Sequence, residues 1–302
     1  MYGTSGTYGT SETYGTYETS GTQETSKPYE TSETFHTFVN FMTLKFYKYQ
    51  GTGNDFILAD NRTNQYSSLT TDQIRRLCDR RFGIGADGLM LLNQKAGYDF
   101  EMKYFNADGR EGSMCGNGGR CITKFAYHLG IHRIDYKFIA VDGDHEAEID
   151  PDGIVSLKMK DVDKIRRFHS DFILNTGSPH YIKPVNEVMD IDVYKKGRDI
   201  RYSKDFEAEG INVNFVEQVT DDKIIVRTYE RGVEDETYSC GTGVTAAALV
   251  YYHNENGFND VEVKTLGGTL TVEFDRMGEE KYANIWLCGP AEKVFEGEVV
   301  VK

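Results

Sequence analysis

Two stretches of this chain repeat one local design. Asn106-Ala-Asp-Gly-Arg-Glu-Gly-Ser-Met-Cys115-Gly-Asn-Gly-Gly-Arg120 and Tyr229-Glu-Arg-Gly-Val-Glu-Asp-Glu-Thr-Tyr-Ser-Cys240-Gly-Thr-Gly-Val-Thr245 each place one cysteine just before a Gly-x-Gly turn that opens an amphipathic helix. Upstream, Thr52-Gly-Asn-Asp-Phe-Ile57 parallels Thr176-Gly-Ser-Pro-His-Tyr-Ile182. Gly53 lies 62 residues before Cys115, and Gly177 lies 63 before Cys240. Two motifs kept at matching separation describe a duplicated domain, since solenoid units recur every 20–50 residues or so. The expected architecture is α/β (α+β), with two pseudo-symmetric domains facing each other across a cleft. One matched cysteine per repeat is what a two-base proton-transfer enzyme requires, so a racemase or epimerase leads the functional readings.

The bulk properties narrow the alternatives. A chain of 302 residues is long enough for two cored domains. Its net charge of −14 argues against nucleic acid, which demands a basic footprint, and against an anionic membrane surface. The five cysteines are odd in number and dispersed, as intracellular thiols are. The longest apolar run, Val244–Tyr252, is far short of the ~18 residues of a membrane span, so a soluble, cytoplasmic protein is expected.

The first 37 residues are of another kind. Threonine recurs at every third position from Thr4 to Thr25, and Tyr2, Tyr8 and Tyr14 mark a period of six. Low hydrophobicity and low complexity predict disorder. No apolar core of a secretory signal is present, and only Lys27 is basic. Residues 1–41 are expected to be a dispensable leader, with Met42 as the physiological start. The expected domains are 42–159 plus 291–302, and 160–290.

Within the folded part, Thr43–Tyr49 alternates as a strand does and leads into a Gly51-x-Gly53 turn, with Phe56–Ala59 returning. Thr70-Thr-Asp-Gln73 reads as a capping box for a helix through Ile74, Leu77 and Cys78, stopping near Gly83. Strands are expected at Leu89–Leu92, Phe100–Phe105, Lys137–Val141, Glu146–Ile149 and Ile154–Met159, with a helix from Gly116 to Leu129. The second half repeats this with strands at Ile211–Val219 and Lys223–Tyr229 and a helix from Gly241 to Asn254. Four strands close the chain: Val261–Thr265, Thr269–Phe274, Ala283–Leu287 and Lys293–Val301. Few helices among many strands imply a mixed sheet curled around each cysteine-bearing helix.

Gly83-Ile-Gly-Ala-Asp-Gly88 matches G-x-G-x-x-G, but it follows a basic helix end and runs into a strand. A dinucleotide fingerprint needs the opposite context, so a tight loop at the cleft edge is expected instead. Cys115 and Cys240 carry the chemistry. A thiol at a helix N-terminus has its pKa lowered by the dipole and the free N–H groups, which predicts thiolate near neutral pH. The same N–H groups suit a substrate carboxylate, and the glycines permit close approach. Cys78, Cys121 and Cys288 lack this context and read as structural. No C-x-x-C or clustered histidine suggests a metal, and neither G-x-S-x-G nor a P-loop is present.

The set Gly51-Thr-Gly-Asn-Asp-Phe56, Gly83-Ile-Gly-Ala-Asp87, Asn106-Ala-Asp-Gly109, Cys115-Gly-Asn-Gly-Gly-Arg120, Glu230-Arg-Gly232 and Cys240-Gly-Thr-Gly243 resembles the diaminopimelate epimerase family from Met42 to Lys302. The resemblance implies interconversion of LL- and meso-diaminopimelate without pyridoxal phosphate, metal or any other cofactor. It also implies a homodimer and a last strand that returns to the first domain. It assigns Cys115 and Cys240 as the acid–base pair. Asn54, Asn106, Asn212, Glu230 and Arg231 would hold the substrate's polar ends, with Gly116, Asn117, Gly241 and Thr242 hydrogen-bonding its carboxylate or ammonium groups. Two positions depart from the family pattern: Gly88 replaces a common glutamine, and Ser178, still able to contact substrate, replaces a common asparagine.

Three other readings stay open on the residues alone. A proline-type or histidine racemase of the same fold is the nearest, although the proline type carries histidine after its first Cys-Gly, where this chain has Asn117. A dithiol redox protein and a binding module for small amino acids are the others. Turnover with exchange of a substrate α-proton separates both from a racemase.

Overall fold

The computed structural model describes residues 42–302; the expectations for the leader lie outside the described residues. Two buried helices organise everything else. Counting helices in chain order, α1 spans Thr71–Cys78, α2 Gly116–His128, α3 Val193–Arg201 and α4 Gly241–Val250. The α4 sequence, Gly-Thr-Gly-Val-Thr-Ala-Ala-Ala-Leu-Val, has no charged face, and eight of its ten residues are buried. A helix apolar all round must be enclosed. Strands from both halves enclose it together with α2, and the main core joins Phe125 and Leu157 to Val244, Leu249 and Leu287.

The strand pairings repeat element by element. In the first half, Met42–Gly51 is antiparallel to Asn54–Asp60, which runs parallel to Gly88–Asn93. Gly88–Asn93 is antiparallel to Phe100–Asn106, which pairs in parallel with Asp135–Ala140. Asp135–Ala140, Gly143–Ile149 and Val155–Lys158 then form a meander. The second half repeats this order and sense through Asp171–Asn175, Pro179–Pro184, Asn212–Thr220, Lys223–Glu230, Gly257–Thr265, Gly268–Arg276 and Tyr282–Gly289. Register makes the equivalence exact to the residue: Phe56 faces Gly88 as His180 faces Asn212. The last meander strands, Val155–Lys158 and Tyr282–Gly289, pair antiparallel and fuse the halves into one sheet.

Each half also lends a strand to the other. Arg166–Phe168, following the first meander, pairs with Asp171–Asn175. Glu292–Val301, following the second, pairs with Met42–Gly51. Outside the sheet, α1 buries Ile74, Leu77 and Cys78 on a second apolar cluster, and α3 contributes Val193 to a third. The Thr70–Gln73 capping box forms as the sequence predicts.

Two helices end well before expectation. α1 ends at Cys78 rather than near Gly83, because Asp79 Oδ1 accepts from the Arg81 and Phe82 N–H groups and turns the chain. α4 ends at Val250 rather than Asn254. The fully buried Asn259 side chain accepts from the N–H groups of His253 and Asn254 and donates to the Asn254 and Gly257 carbonyls, holding those residues in a loop. None of the helices among the described residues is long and apolar enough to cross a membrane.

Candidate active site

Cys115 and Cys240 are the N-cap residues of α2 and α4, both in extended backbone conformation. The two helix starts meet, with Gly116 against Gly241 and Leu287 packed beside both. The positive ends of two helix dipoles therefore converge on one point, an arrangement that favours a bound anion.

That point is the floor of a cavity of about 900 Å³, and all twelve residues singled out from the sequence line it. The first half supplies Asn54, Asn106, Cys115, Gly116 and Asn117; the second supplies Ser178, Asn212, Glu230, Arg231, Cys240, Gly241 and Thr242. A separate depression of about 570 Å³, around Tyr251, Tyr252 and Arg276, contains neither cysteine. Cys78, Cys121 and Cys288 are buried and do not line this cavity; Cys121 and Cys78 sit in apolar clusters, and Cys288 Sγ accepts from the Ser156 hydroxyl at 3.1 Å.

Hydrogen bonds fix the polar wall of the first half. Asp87 Oδ2 accepts from Asn54 Nδ2 at 2.5 Å, while Asp87 Oδ1 is held by Arg80 at 2.6 Å. Asn54 Oδ1 therefore points inward, 4.0 Å from Cys115 Sγ and 3.4 Å from Asn117 Nδ2. Asn117 Nδ2 also donates to the Ser239 carbonyl at 2.9 Å, tying α2 to the chain just before Cys240. Beneath it lies Arg120, fully buried, whose Nη2 donates to Asn117 Oδ1 and Thr52 Oγ1 and whose Nη1 donates to the Gly116 carbonyl.

The second half uses other chemistry for the same task. His180, also fully buried, pairs through Nε2 with Thr242 Oγ1 at 2.9 Å and through Nδ1 with Asn214 Nδ2 at 3.1 Å. Burial, aided by the Arg231 charge, pushes its pKa down to about 3, so the ring is neutral and accepts from the Asn214 amide. Thr242 Oγ1 lies 3.5 Å from Cys240 Sγ. Asn212 Oδ1 accepts from the Arg231 N–H at 2.8 Å, and the Arg231 guanidinium donates to the Glu209 carbonyl. Burial raises the Glu230 carboxyl despite the Thr237 hydroxyl that donates to it.

The thiols depart from the sequence expectation. Burial pushes Cys115 up to about 11, and Glu230 adds to the rise; the Gly118 N–H, 3.2 Å from the sulfur, opposes it without prevailing. Burial raises Cys240 further, with Glu230 again contributing. The helix N-terminus does act on each sulfur, but removal from water is the larger effect.

Asp87, Arg120 and His180 were not singled out as site residues. Asp87 lies in the Gly83–Gly88 loop, which runs into a strand as expected and of whose residues Asp87 alone lines the cavity. Arg120 and His180 stood inside the quoted motifs, yet nothing in a linear pattern reports that they are buried beneath the helix starts.

A duplicated mixed-sheet fold with one N-cap cysteine per half on a shared cavity defines a class, that of two-cysteine racemase and epimerase scaffolds. Solved structures share the fold: a Bacillus anthracis phenazine biosynthesis protein of the PhzF family (TM-score 0.68, 16% identity, 86% of this chain and 99% of that one) and a hydroxyproline epimerase from Agrobacterium vitis (TM-score 0.61, 14% identity, 86% and 93%). The family profile described as diaminopimelate epimerase matches over residues 46–165 and 172–294. Relatives bearing that name include proteins from Flavobacterium psychrophilum, 47% identical over 84% of this chain and 99% of the relative, and Chlorobaculum tepidum, 43% identical over 83% and 99%. The chain belongs to the diaminopimelate epimerase family.

Proposed function

We propose that this protein interconverts LL- and meso-diaminopimelate by a cofactor-independent two-base mechanism, in the biosynthesis of lysine and of a peptidoglycan precursor. The observation that carries the reading is the pair of N-cap cysteines on abutting helix starts. A carbon seated over the contact has one sulfur on each side. One thiolate takes the α-proton, and the opposite thiol delivers a proton to the other face; the reverse reaction exchanges the roles. Positioned proton transfer supplies roughly 10²–10⁴-fold.

The carbanion needs stabilisation as well. Cys240 caps none of α4's first N–H groups with its side chain, which leaves donors for a substrate carboxylate. Charge building on that carboxylate is met by two helix ends. Glu230 suits an ammonium group, and Arg231 suits the carboxylate at the far end of the substrate. Asn54, Asn106, Asn117, Ser178, Asn212 and Thr242 supply the remaining polar contacts.

Raised thiol pKa values fit this scheme. Both thiols hold their protons near neutral pH, and a cationic substrate ammonium favours the single thiolate that the reaction needs. The family resemblance extends the reading to a homodimer in the cytoplasm, a state that sedimentation of the purified chain checks. The reading is tested by solvent deuterium uptake at the α-carbon, with LL-diaminopimelate and proline compared. Uptake and inversion with diaminopimelate alone are expected; turnover of proline alone overturns the substrate assignment.

A further inference from the structure

Gly88 leaves a gap in the polar wall that the second half fills. Its counterpart Asn212 presents an amide to the cavity, whereas Gly88 has no side chain. The neighbouring strand shows the reverse. The register that makes Asn212 the counterpart of Gly88 makes Thr228 the counterpart of Tyr104, a small residue against a large one. Tyr104 lies over the vacant position. A Cβ built on Gly88 would sit 2.5 Å from Tyr104 Cε2 and 2.9 Å from its hydroxyl, and also 2.5 Å from the Phe105 carbonyl. On the other flank, a Cβ on Gly112 would lie 3.1 Å from both Tyr104 Cδ1 and Cε1. Two glycines on adjoining strands thus make a slot for one aromatic ring.

The ring is held edge-on against Phe56, with centroids 6.1 Å apart, and Tyr104, 9% exposed, lines the cavity with the two cysteines. A tyrosine buried this far usually hydrogen-bonds its hydroxyl to the protein. Here no group among the described residues does so, and the hydroxyl keeps accessible surface on a residue that lines the cavity. The geometry points to Tyr104 as a substrate-contacting residue, its hydroxyl standing in for the side-chain amide absent at Gly88 and hydrogen-bonding a polar group of the bound amino acid. This rests on the diaminopimelate reading above. It accounts for the glycine at 88: the contact is moved to the adjacent strand.

Tyr104→Phe tests the contact, because it keeps the ring in its slot and removes one oxygen. Steady-state kinetics with LL-diaminopimelate and a thermal melt are measured on wild type and variant. A hydrogen bond to a charged substrate group predicts a fall in kcat/KM of about ten- to a hundredfold, carried mainly by KM, with the melting temperature unchanged. A fall below about fivefold, or one that follows a lowered melting temperature, overturns the inference and leaves the ring as filler. If the wild type itself does not turn over diaminopimelate, the functional reading has failed instead, so the two failures are distinguishable.

Discussion

Gly116 and Gly241 touch across the pseudo-symmetric centre of the molecule. A Cβ on Gly116 would lie 3.4 Å from the Gly241 Cα, and one on Gly241 would lie 3.2 Å from the Gly116 Cα. The separation of the two N-cap sulfurs is therefore set by backbone contact between helix starts rather than by adjustable side chains.

Gly241→Ala follows directly. The Leu287 methyl, 3.0 Å from the new carbon, can rotate away, but the Gly116 backbone cannot. The helix starts are expected to separate by a few tenths of an ångström. Displacements of about 1 Å cost on the order of 10²-fold in rate, so a loss of at least about tenfold in kcat is expected. Adding Leu287→Ala should not restore it; full recovery in the double variant would show that the backbone contact is unimportant.

Cys115→Ala and Cys240→Ala should each lose epimerisation by about 10²–10⁴-fold or more, because one base cannot serve both faces. The thiol that remains can still remove a proton from one stereoisomer and return a solvent proton to the same face. Each variant is thus expected to exchange the α-hydrogen of one isomer without inversion, and the two variants should choose opposite isomers. Proton NMR in D₂O reads both outcomes. Normal epimerisation by either variant contradicts the assignment.

Thiol alkylation in the free enzyme should rise with alkaline pH. The thiolate is the reactive species, and with Cys115 at about 11 its fraction grows about tenfold per pH unit through the neutral range. Iodoacetamide labelling of Cys115, followed by mass spectrometry, checks this; a rate flat from pH 6 to 9 contradicts it. The same shift has a stability consequence of fixed sign. The folded thiol pKa lies above the ordinary 9.0, so its contribution is intact below pH 9 and is lost as pH rises toward 11.

His180 makes the opposite prediction at acid pH. Its folded pKa of about 3 lies below the ordinary 6.5, so the stability it contributes is present above pH 6.5 and drains away as pH falls toward 3. His180→Gln should flatten the decline of melting temperature between pH 7 and 4, whatever it does to the absolute value at pH 7. An unchanged slope would place the acid sensitivity elsewhere.

Much of this arrangement was legible in the chain because it is built from local signals. The Thr70 capping box and the Gly-x-Gly after each cysteine act within a few residues, and each is found in the fold; the matched spacing of the Thr-Gly motifs reports the duplication because it recurs. The helix inside the second half, α3, was not legible in the same way. α3 buries only Val193 and Gly197, and Gly197 is where the helix lies against Tyr229, so no apolar stripe marks it. Tyr104 was silent because its meaning depends on Gly88 and Gly112, which only sheet register brings to it. The thiol pKa direction was misjudged for a related reason. A helix N-terminus is visible in sequence, but how far the fold withdraws each sulfur from water is a property of the whole structure.

The central claim is that two monoprotic bases act on opposite faces of one carbon. The most direct measurement is the deuterium content of product and of unreacted LL-diaminopimelate at low conversion in D₂O with the wild-type protein. Two bases predict meso product carrying one solvent deuterium at the inverted carbon, with the residual substrate still protonated there. Product that keeps its original proton, or residual substrate as deuterated as the product, would mean that one base serves both faces and would contradict the account.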